Sequence, residues 1–468
     1  MRQATDPTFY RSPQAAIAAP PEELAYVAAF DPAGEQRDAI AVVDCDAASS
    51  SYGKVVGWAE LPTAGNELHH FGWNACSSAL CHQGHEGVLE RRYLVVPGIR
   101  SSRTYVLDTG EDPRQPRVVR TIEPEELAAK AGYSRPHTVH CGPGGIFMSN
   151  LGAADGGGGP GGVALIDHDT FEVTGAWESD RGEQHFAYDV WWHLNDDVAV
   201  TSEWATPAMI EDGLDPEDLL GKRFGHHLDF WKLSEGRLIQ RIDLGEEQQM
   251  VLEVRPAHDP RQAWGFVGVV ISVEDLSASV WLWYRDGERW AVRKAITIPA
   301  QPAEADELPP ALKPFGAVPP LVTDIDLSVD DRWLYVSCWG TGELKQYEVS
   351  DPHHPREAGS VRLGGIVDRA PHPAAPELEL RGAPQMVEVS RDGRRVYATN
   401  SLYASWDEVF YPQGVGAWMM RVDADPESGG MALDERFFPR GDDFRGLRVH
   451  QTRLQAGDAS SDSYCFVD

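Results

Sequence analysis

The sequence predicts an all-β protein, a seven-bladed β-propeller built as a single domain with long inter-blade loops. Many short segments rich in Val, Ile, Tyr and Trp are separated by Gly, Pro and Asp turns, which is typical of β-sheets. A hairpin of one form also recurs seven times, at intervals of 53 to 75 residues. Repeats of this length favour four-stranded blades that bury their faces against their neighbours.

Each repeated hairpin has an apolar strand that ends in acidic or aromatic residues, then a turn, then a second strand. The first copy spans residues 41–61 (AVVDCDAASSSYGKVVGWAEL). The ends of the first strand in the seven copies are Val43, Leu107, Ile166, Phe230, Trp283, Tyr347 and Val422. We therefore expect the catalytic propeller domain over residues 21–468 and an N-terminal extension over residues 1–20.

Other segments interrupt or support this strand pattern. Residues 263–273 form the longest apolar run, which predicts a buried strand because a membrane-spanning helix needs about 20 such residues. Short helices are expected at residues 123–131, where Pro suits the first turn, and at 215–220. The glycine-rich residues 156–162 lack a strand-turn-helix context and are expected to form a loop rather than a phosphate site.

The excess of acidic side chains limits the classes of molecule that the protein is expected to bind. The 468 residues carry 41 basic and 73 acidic side chains, a formal net charge of −32. A surface this acidic repels phosphate, so we expect neither nucleic acid nor a membrane as a partner. The first residues show no basic segment followed by an apolar core, which predicts a cytoplasmic protein.

Six cysteines are too few for a disulfide scaffold, and reduced thiols are expected. Cys76 and Cys81 are five residues apart, so a CxxC zinc site is absent. A neighbouring imidazolium or metal could activate Cys76 by lowering its pKa. The alternative is an unreactive cysteine in a loop.

Several of the 16 histidines lie in short segments that are otherwise apolar, aromatic or glycine-rich. The innermost strands of a propeller face one channel, so histidines distant in sequence can converge there and hold copper, zinc or iron. Glu203 and Asp324 are candidate hydrogen-bond partners for them. The alternative is that each histidine is an isolated residue bonded to backbone. The histidines expected in solvent are His168, His185, His353, His354 and His372.

One segment carries a specific resemblance. Residues 67–78 (ELHHFGWNACSS) resemble the selenium-binding protein / methanethiol oxidase family, whose members show HH-x-GWN-x-CSS here. Further blocks that look like the family in order are RPHTVH at 135–140, TSEWATP at 201–207 and LEVRPAHDPRQAWGFVG at 252–268. The resemblance covers roughly residues 20–468.

The resemblance implies a seven-bladed propeller and a copper-dependent oxidation of methanethiol by O2 and water to formaldehyde, hydrogen sulfide and hydrogen peroxide. The family's proposed copper ligands fall on His69, His70, His140 and His450. His227 and His258 also match family histidines and are expected to complete or adjoin the metal site. The catalytic residues implied are His70, His140 and Cys76.

Cys76 also matches the cysteine linked in the family to selenium. The family usually shows a second cysteine three residues later, where this chain has Ala79, and another near the C-terminus, where it has Ala459. The alternative function is therefore a non-enzymatic propeller that binds a selenium or sulfur species through Cys76. A calcium-dependent propeller hydrolase is a weaker hypothesis, which would need oxygen ligands such as Glu203, Asp324 and Asn150.

Overall fold

Seven four-stranded antiparallel sheets are arranged around a central channel, which confirms the predicted β-propeller. The structure is a computed structural model and describes residues 8–81 and 89–468. From blade 2 to blade 7, the first strand of one blade contacts the first strand of the next around the channel. In the parts of the chain that are described, no helix has both the length and the apolar character needed to cross a membrane.

Blades 1 to 4 follow one another along the chain. Their strands are β1 (Leu24–Phe30), β2 (Arg37–Asp44) and β3 (Val55–Ala64); β4 (Gly72–Trp73), β5 (Tyr93–Pro97), β6 (Thr104–Asp108) and β7 (Arg117–Ile122); β8 (Tyr133–Gly142), β9 (Gly145–Ala153), β10 (Gly162–Ile166) and β11 (Val173–Ala176); β12 (Val190–His193), β13 (Val198–Ser202), β14 (His227–Lys232) and β15 (Arg237–Asp243).

Blades 5 to 7 repeat the same order, with a two-stranded ribbon between blades 5 and 6. Their strands are β16 (Gln248–Pro256), β17 (Trp264–Ser272), β18 (Ala278–Asp286) and β19 (Arg289–Ile298); the ribbon β20 (Gln301–Pro302) and β21 (Ala317–Val318); β22 (Val322–Leu327), β23 (Trp333–Cys338), β24 (Glu343–Glu348) and β25 (Arg356–Arg362); and β26 (Val387–Val389), β27 (Arg395–Thr399), β28 (Met419–Ala424) and β29 (Met431–Leu433). The last strand of the chain, β30 (Arg448–Leu454), belongs to blade 1.

Short helices lie mainly in the connections between strands. The α-helices are α1 (Pro13–Ile17), α2 (Ser78–Cys81), α3 (Pro124–Ala131), α4 (Pro207–Ile210), α5 (Pro216–Leu220) and α6 (Ala404–Phe410), and the 3-10 helices are Leu194–Asp196, Gly441–Phe444 and Ala459–Ser461. Helices α3 and α5 confirm the two predicted helical segments. The predicted buried strand at residues 263–273 is β17, which is buried throughout.

All seven hairpin markers lie on the third strand of a blade. The repeat recognised in the sequence is therefore the outer hairpin of each blade, formed by its third and fourth strands. The outermost strand of each blade is also its most polar strand, so the alternation of apolar and polar residues is easiest to recognise in this hairpin. The inner strands are buried on both faces and carry the weaker signal.

The ring is closed by the end of the chain. Strand β30 pairs with β1 and becomes the innermost strand of blade 1. Residues 455–468 then run across one end of the channel and contact blades 2, 4, 5 and 7. The contacts of this C-terminal tail are Asp462 with Arg91, Ser463 with Trp192, Ala459 with His258, and Ser460 with Glu388.

A disulfide fixes the C-terminal tail to α2. Cys81 and Cys465 are bonded across a sequence separation of 384 residues. The expectation of reduced thiols is wrong for this pair, because only the closed ring brings the two residues together. The other cysteines, Cys45, Cys76, Cys141 and Cys338, are buried free thiols.

The N-terminal extension packs against the same end of the propeller. The Ser12 hydroxyl donates to the carboxylate of Asp468, and Arg391 donates to the carbonyl of Pro20 at 2.7 Å. Ala16 of α1 lies buried in the apolar core of blades 6 and 7. Residues 1–7 lie outside the described part, and the boundary at residue 20 stays a prediction.

A buried ionic network fills the channel. The guanidinium of Arg255 on β16 lies 3.1 to 3.5 Å from carboxylates of blades 4, 5 and 6. These carboxylates belong to Asp189, Glu253, Asp324 and Asp326. A buried charge is tolerated only when it is paired and hydrogen-bonded.

The same acids also join neighbouring blades. Asp324 and Asp326 of β22 accept backbone N–H groups of Val387 and Val389 on β26, at 2.6 and 2.9 Å. A carboxylate that is bonded to a cation on one side and to a neighbouring strand on the other side sets the relative position of two blades. The channel charges therefore define the order and register of the inner strands.

We expect Arg255→Met to destabilise the propeller by roughly 3–5 kcal/mol, because it leaves several buried carboxylates without a counter-charge. Urea unfolding measures the loss. The matched control is Arg261→Met, since Arg261 makes a comparable bidentate pair with Asp259 on the surface. That pair is solvent-exposed, so its loss should cost less than about 1 kcal/mol. Equal effects of the two substitutions would contradict the role given to the channel network.

Candidate metal centre

Four buried histidines meet in the channel, at the end away from the C-terminal tail. They are His69, His70, His137 and His450, each no more than 3% exposed. We call this set the histidine cluster. The ring centroids of His69 and His450 are 4.2 Å apart, as are those of His70 and His137. The sequence-based expectation that histidines converge from different blades holds for this set.

Three adjacent blades supply the cluster. His450 lies on β30 of blade 1, His69 and His70 directly precede β4 of blade 2, and His137 lies on β8 of blade 3. Gly72 allows blades 2 and 3 to approach, because a Cβ atom there would lie 2.3 Å from the carbonyl oxygen of Val139. The glycine of the segment HHFGW is thus a packing requirement of the cluster.

All four imidazoles are neutral at pH 7. Burial lowers the pKa of His69 from 6.5 to about 3. Burial, and then the proximity of the other rings, holds the pKa values of His70, His137 and His450 well below the ordinary value. A neutral imidazole keeps a lone pair on one nitrogen, which is the form that binds metals.

Two of these nitrogens are buried without a hydrogen-bond partner. They are Nε2 of His69 and Nε2 of His450. Nδ1 of His450 donates to the carbonyl of Ser401 at 2.7 Å, which fixes the tautomer with the lone pair on Nε2. An unpartnered polar atom in a buried site is costly, and a bound metal would relieve that cost.

The donor set fits copper. Imidazole nitrogens are good ligands for copper, and two of them, Nε2 of His69 and Nε2 of His450, are buried without a hydrogen-bond partner. The rings contact one another rather than point to one centre, since His69 and His450 are stacked at 17°. Metal binding would therefore reorient the rings.

A tyrosine and a carboxylate adjoin the cluster from blades 4 and 5. The hydroxyl of Tyr188 donates to Oε1 of Glu253 at 2.9 Å and lies 3.4 Å from Nε2 of His70. Burial, and then the charge of Asp189, raises the pKa of Glu253 well above its ordinary range. Sequence reasoning missed Tyr188, which stands in a segment without a motif, and it did not single out Glu253, although Glu253 lies in the family-like block at residues 252–268.

A small cavity of about 20 Å³ opens at the cluster. Its wall combines cluster rings with apolar side chains of a cap that lies above the channel. The main cap residues in the wall are Trp204, Met250, Val270, Leu402 and Trp406. Met250 has a φ of +67°, a conformation that costs energy for this residue type and is typical of functional sites.

An apolar cleft lies beside the cavity. The two share Met250, Val270 and Trp406 in their walls, and the cleft has a volume of about 50 Å³. Leu220 of α5 and Phe315 also line this cleft, and they are 56% and 42% exposed. We call it the apolar vestibule. Its lining favours uncharged molecules.

His140, expected as a ligand and catalytic residue, takes another position. Its ring lies 4.1 Å from that of Trp191, and its Nε2 lies 3.4 Å from a carboxylate oxygen of Asp189. His137, three residues earlier, joins the cluster instead. A bulge between Pro136 and Val139 shifts the register of β8 against β9, so the simple two-residue alternation does not apply to this pair of histidines.

His227 and His258 also lie apart from the cluster. Nδ1 of His227 is 3.1 Å from Glu203 at the start of β14. His258 contacts Asp331 through Nδ1 and the carbonyl of Ala459 through Nε2, both at 2.8 Å. Because both of its nitrogens donate, His258 is an imidazolium that holds the C-terminal tail. The ligand roles of His140, His227 and His258 stay predictions.

Cys76 is buried beneath the cluster segment. Its thiol donates to the carbonyl of Cys141 at 3.0 Å and lies 2.8 Å from the Ser78 hydroxyl. Burial opposes ionisation, but hydrogen bonds with Cys141 and Ser78 outweigh it, so the pKa of Cys76 is lowered. Sγ of Cys141 lies 3.4 Å from Nε2 of His168. The sequence did not indicate this second thiol.

Other sequence-based expectations need correction. His168 and His372 are buried rather than solvated; the ring of His372 stacks on Phe438 at 4.0 Å. Asp324 pairs with Arg255 instead of a histidine, whereas Glu203 contacts His227 as expected and also pairs with Arg241. Carboxylates neutralised by arginine are poor calcium ligands, which disfavours the calcium hypothesis.

Comparison with known proteins gives full-length matches. Residues 3–465 match the family described as 56kDa selenium binding protein (SBP56). Methanethiol oxidase of Xenopus laevis is 38% identical, and that of Homo sapiens 37%, each over 97% of both chains. The crystal structure of a hypothetical selenium-binding protein from Sulfolobus tokodaii covers 99% of this chain and 100% of its own, with 54% identity and a TM-score of 0.95.

The His258 pair predicts a pH-dependent stability. Burial lowers the pKa of His258, but the hydrogen bond and charge of Asp331, the bond to the carbonyl of Ala459 and the charge of Asp326 together raise it by more, so the net shift is upward. The stabilisation is therefore complete below the unfolded-state pKa of about 6.5 and is lost as the pH rises through the folded-state pKa. We expect His258→Gln to lower the Tm more in mild acid than in alkali. A difference from the wild type that is equal at all pH values would contradict this.

Proposed function

Because the chain belongs to the 56 kDa selenium-binding protein family, we propose that it is a copper-dependent methanethiol oxidase. In the proposed reaction, methanethiol, O2 and water give formaldehyde, hydrogen sulfide and hydrogen peroxide. The observation that carries the proposal is the histidine cluster, four buried neutral imidazoles at a small, largely apolar cavity. The names of the full-length relatives support the choice of substrate.

The ligands that we propose are His69, His70, His137 and His450, with His140 as the nearest further candidate in sequence. A bound copper ion would supply the electron-transfer chemistry that the reduction of O2 requires. The protein holds the imidazoles neutral by burial, so no proton competes for their lone pairs at pH 7. The cap above them excludes water, which would otherwise compete with a weakly polar thiol.

Proton transfer is assigned to the residues beside His70. The substrate thiol must lose a proton, and peroxide formation must gain protons. Glu253, Tyr188 and His70 are linked by contacts of 2.9 to 3.5 Å, along which a proton can move. We propose that Glu253 and Tyr188 exchange protons with the reacting molecules, because they are buried groups next to the cluster.

The apolar vestibule is proposed to select the substrate. Methanethiol is small and uncharged, and it can cross a surface of leucine, valine and aromatic side chains. A charged thiol would lose its hydration there without a compensating partner. The vestibule therefore favours small apolar thiols over amino-acid or peptide thiols.

The family description also supports a second function, the binding of a selenium species. The residue proposed for it is Cys76, whose lowered pKa favours a reactive thiolate. Cys76→Ser should then abolish selenium retention while copper binding is kept. Loss of both properties would instead indicate one shared site.

We expect the copper-loaded wild type to hold about one copper ion per chain and to release peroxide and sulfide on addition of methanethiol. His137→Ala and His450→Ala should lose both copper and products, because each removes an imidazole of the cluster. Elemental analysis and product assays on the same preparations measure this. His140→Ala, measured in parallel, tests whether the ligand set extends along β8.

The control for copper loading is His353→Ala, since His353 lies on the surface against Tyr284. It should keep copper and activity. A wild-type protein that remains metal-free and inactive after treatment with copper would contradict the oxidase proposal. Selenium binding would then be the better-supported function.

We expect Leu220→Glu, at the mouth of the apolar vestibule, to raise KM for methanethiol with kcat unchanged. A rise of roughly fourfold corresponds to the ~0.8 kcal/mol of one apolar carbon group. Steady-state kinetics measures it. The matched control is Ile239→Glu, because Ile239 is a comparably exposed apolar residue on β15 and does not line the vestibule. Equal KM values for the wild type, Leu220→Glu and Ile239→Glu would rule out the apolar vestibule as the route by which methanethiol enters.

A further inference from the structure

Two histidines and an aspartate converge on the outer hairpin of blade 4. Strands β14 and β15 place His227 directly opposite Asp243, and His226 precedes His227. One ligand atom from each of His226, His227 and Asp243 lies within 4.8 Å of the others. In residues 8–81 and 89–468, this is the one set of three His, Cys, Asp or Glu side chains that satisfies that distance.

A buried carboxylate orients one of these rings. Glu203 is fully buried and lies 3.1 Å from Nδ1 of His227. Arg241 donates to the other oxygen of Glu203 at 2.8 Å and so keeps the carboxylate in place. When Nδ1–H donates to Glu203, Nε2 of His227 keeps its lone pair. A carboxylate behind a histidine is a common arrangement in metal sites.

The backbone before His227 lies close to Glu203 because it carries a glycine. A Cβ atom at Gly225 would lie 2.3 Å from Cβ of Glu203, so only glycine brings the segment Gly225–His226–His227 against Glu203. His226 in turn contacts Oδ1 of Asp243 through Nδ1, at 2.8 Å. The rings of His226 and His227 lie 4.1 Å apart. All three side chains are partly exposed, so an ion can reach them from solvent.

A second segment of the same composition lacks this convergence. His353, His354 and Asp351 also combine two adjacent histidines with an aspartate, and Nδ1 of His354 lies 2.9 Å from Asp351. There, however, the ring of His353 packs on Tyr284 at 4.8 Å, and the three ligand atoms do not share a position. The composition alone therefore does not explain the cluster on blade 4.

We propose that His226, His227 and Asp243 bind a divalent transition-metal ion such as Zn²⁺, at a site separate from the histidine cluster. Two imidazoles and one carboxylate suit zinc and leave a fourth position for water or an external ligand. Binding would displace the proton that His226 shares with Asp243. The proposal is independent of the oxidase function, because it uses the outer strands of blade 4 and none of the channel histidines.

The experiment is a titration of metal-free protein with Co²⁺, followed by displacement with Zn²⁺, read by the visible absorption of bound cobalt. The wild type should bind one more ion per chain than His226→Ala or Asp243→Asn. Glu203→Gln should bind that ion roughly 10–100-fold more weakly, because the orienting carboxylate is lost. Thermal unfolding of each variant without metal checks that the propeller is intact.

The matched control is His354→Ala, which removes a histidine from the exposed segment of the same composition. It should bind as many ions as the wild type. The proposal is overturned if His226→Ala and Asp243→Asn keep the wild-type stoichiometry and affinity, or if His354→Ala loses an ion equally. Both surface variants should keep the copper content of the histidine cluster, so failure here is distinct from failure of the proposed oxidase.

Discussion

The burial of charge along the channel is the constraint on which the rest of the structure depends. Arg255 is surrounded by carboxylates of three blades, and Arg453 of β30 pairs with Glu388 of blade 7 at 2.7 Å. A buried ion pair adds little net stability to the fold, but a buried charge that loses its partner destabilises the fold strongly. A blade rotated or shifted by one residue would leave a buried charge unpaired. The channel charges therefore restrict the order and register of the blades more strictly than apolar packing between the blades alone would do.

The channel is layered by polarity, and the candidate metal centre follows from that layering. The ionic network occupies the middle, the C-terminal tail closes one end, and the neutral histidines occupy the other end below an apolar cap. A histidine placed beside Asp331, as His258 is, becomes charged. His69 and His450, placed under the cap, remain neutral because burial outweighs the charge of the nearby Glu67. Position along one axis therefore decides whether an imidazole is structural or available as a ligand.

Much of the fold was predictable, because the outer hairpins carry alternating patterns that depend on local burial. All seven markers, from Val43 to Val422, lie on strands as the hairpin pattern predicted, although the pattern did not show that these are the third strands of the blades. The choice between His137 and His140 was not predictable, since it depends on a bulge in β8 that has no signal of its own. The pairing of Cys81 with Cys465 depends on closure of the whole ring. Tyr188 and Glu253 were missed because their function depends on neighbours contributed by other blades.

Strand β30 has two roles, and it takes up both of them at the same step of folding. It completes blade 1 and it carries His450, which lies near the end of a 468-residue chain. During synthesis, the earlier histidines emerge long before the last partner exists. The candidate metal centre can therefore be completed only after β30 has paired with β1. Conversely, an ion held by the proposed ligands would bridge β30 to blades 2 and 3, and its free energy of binding would oppose detachment of β30.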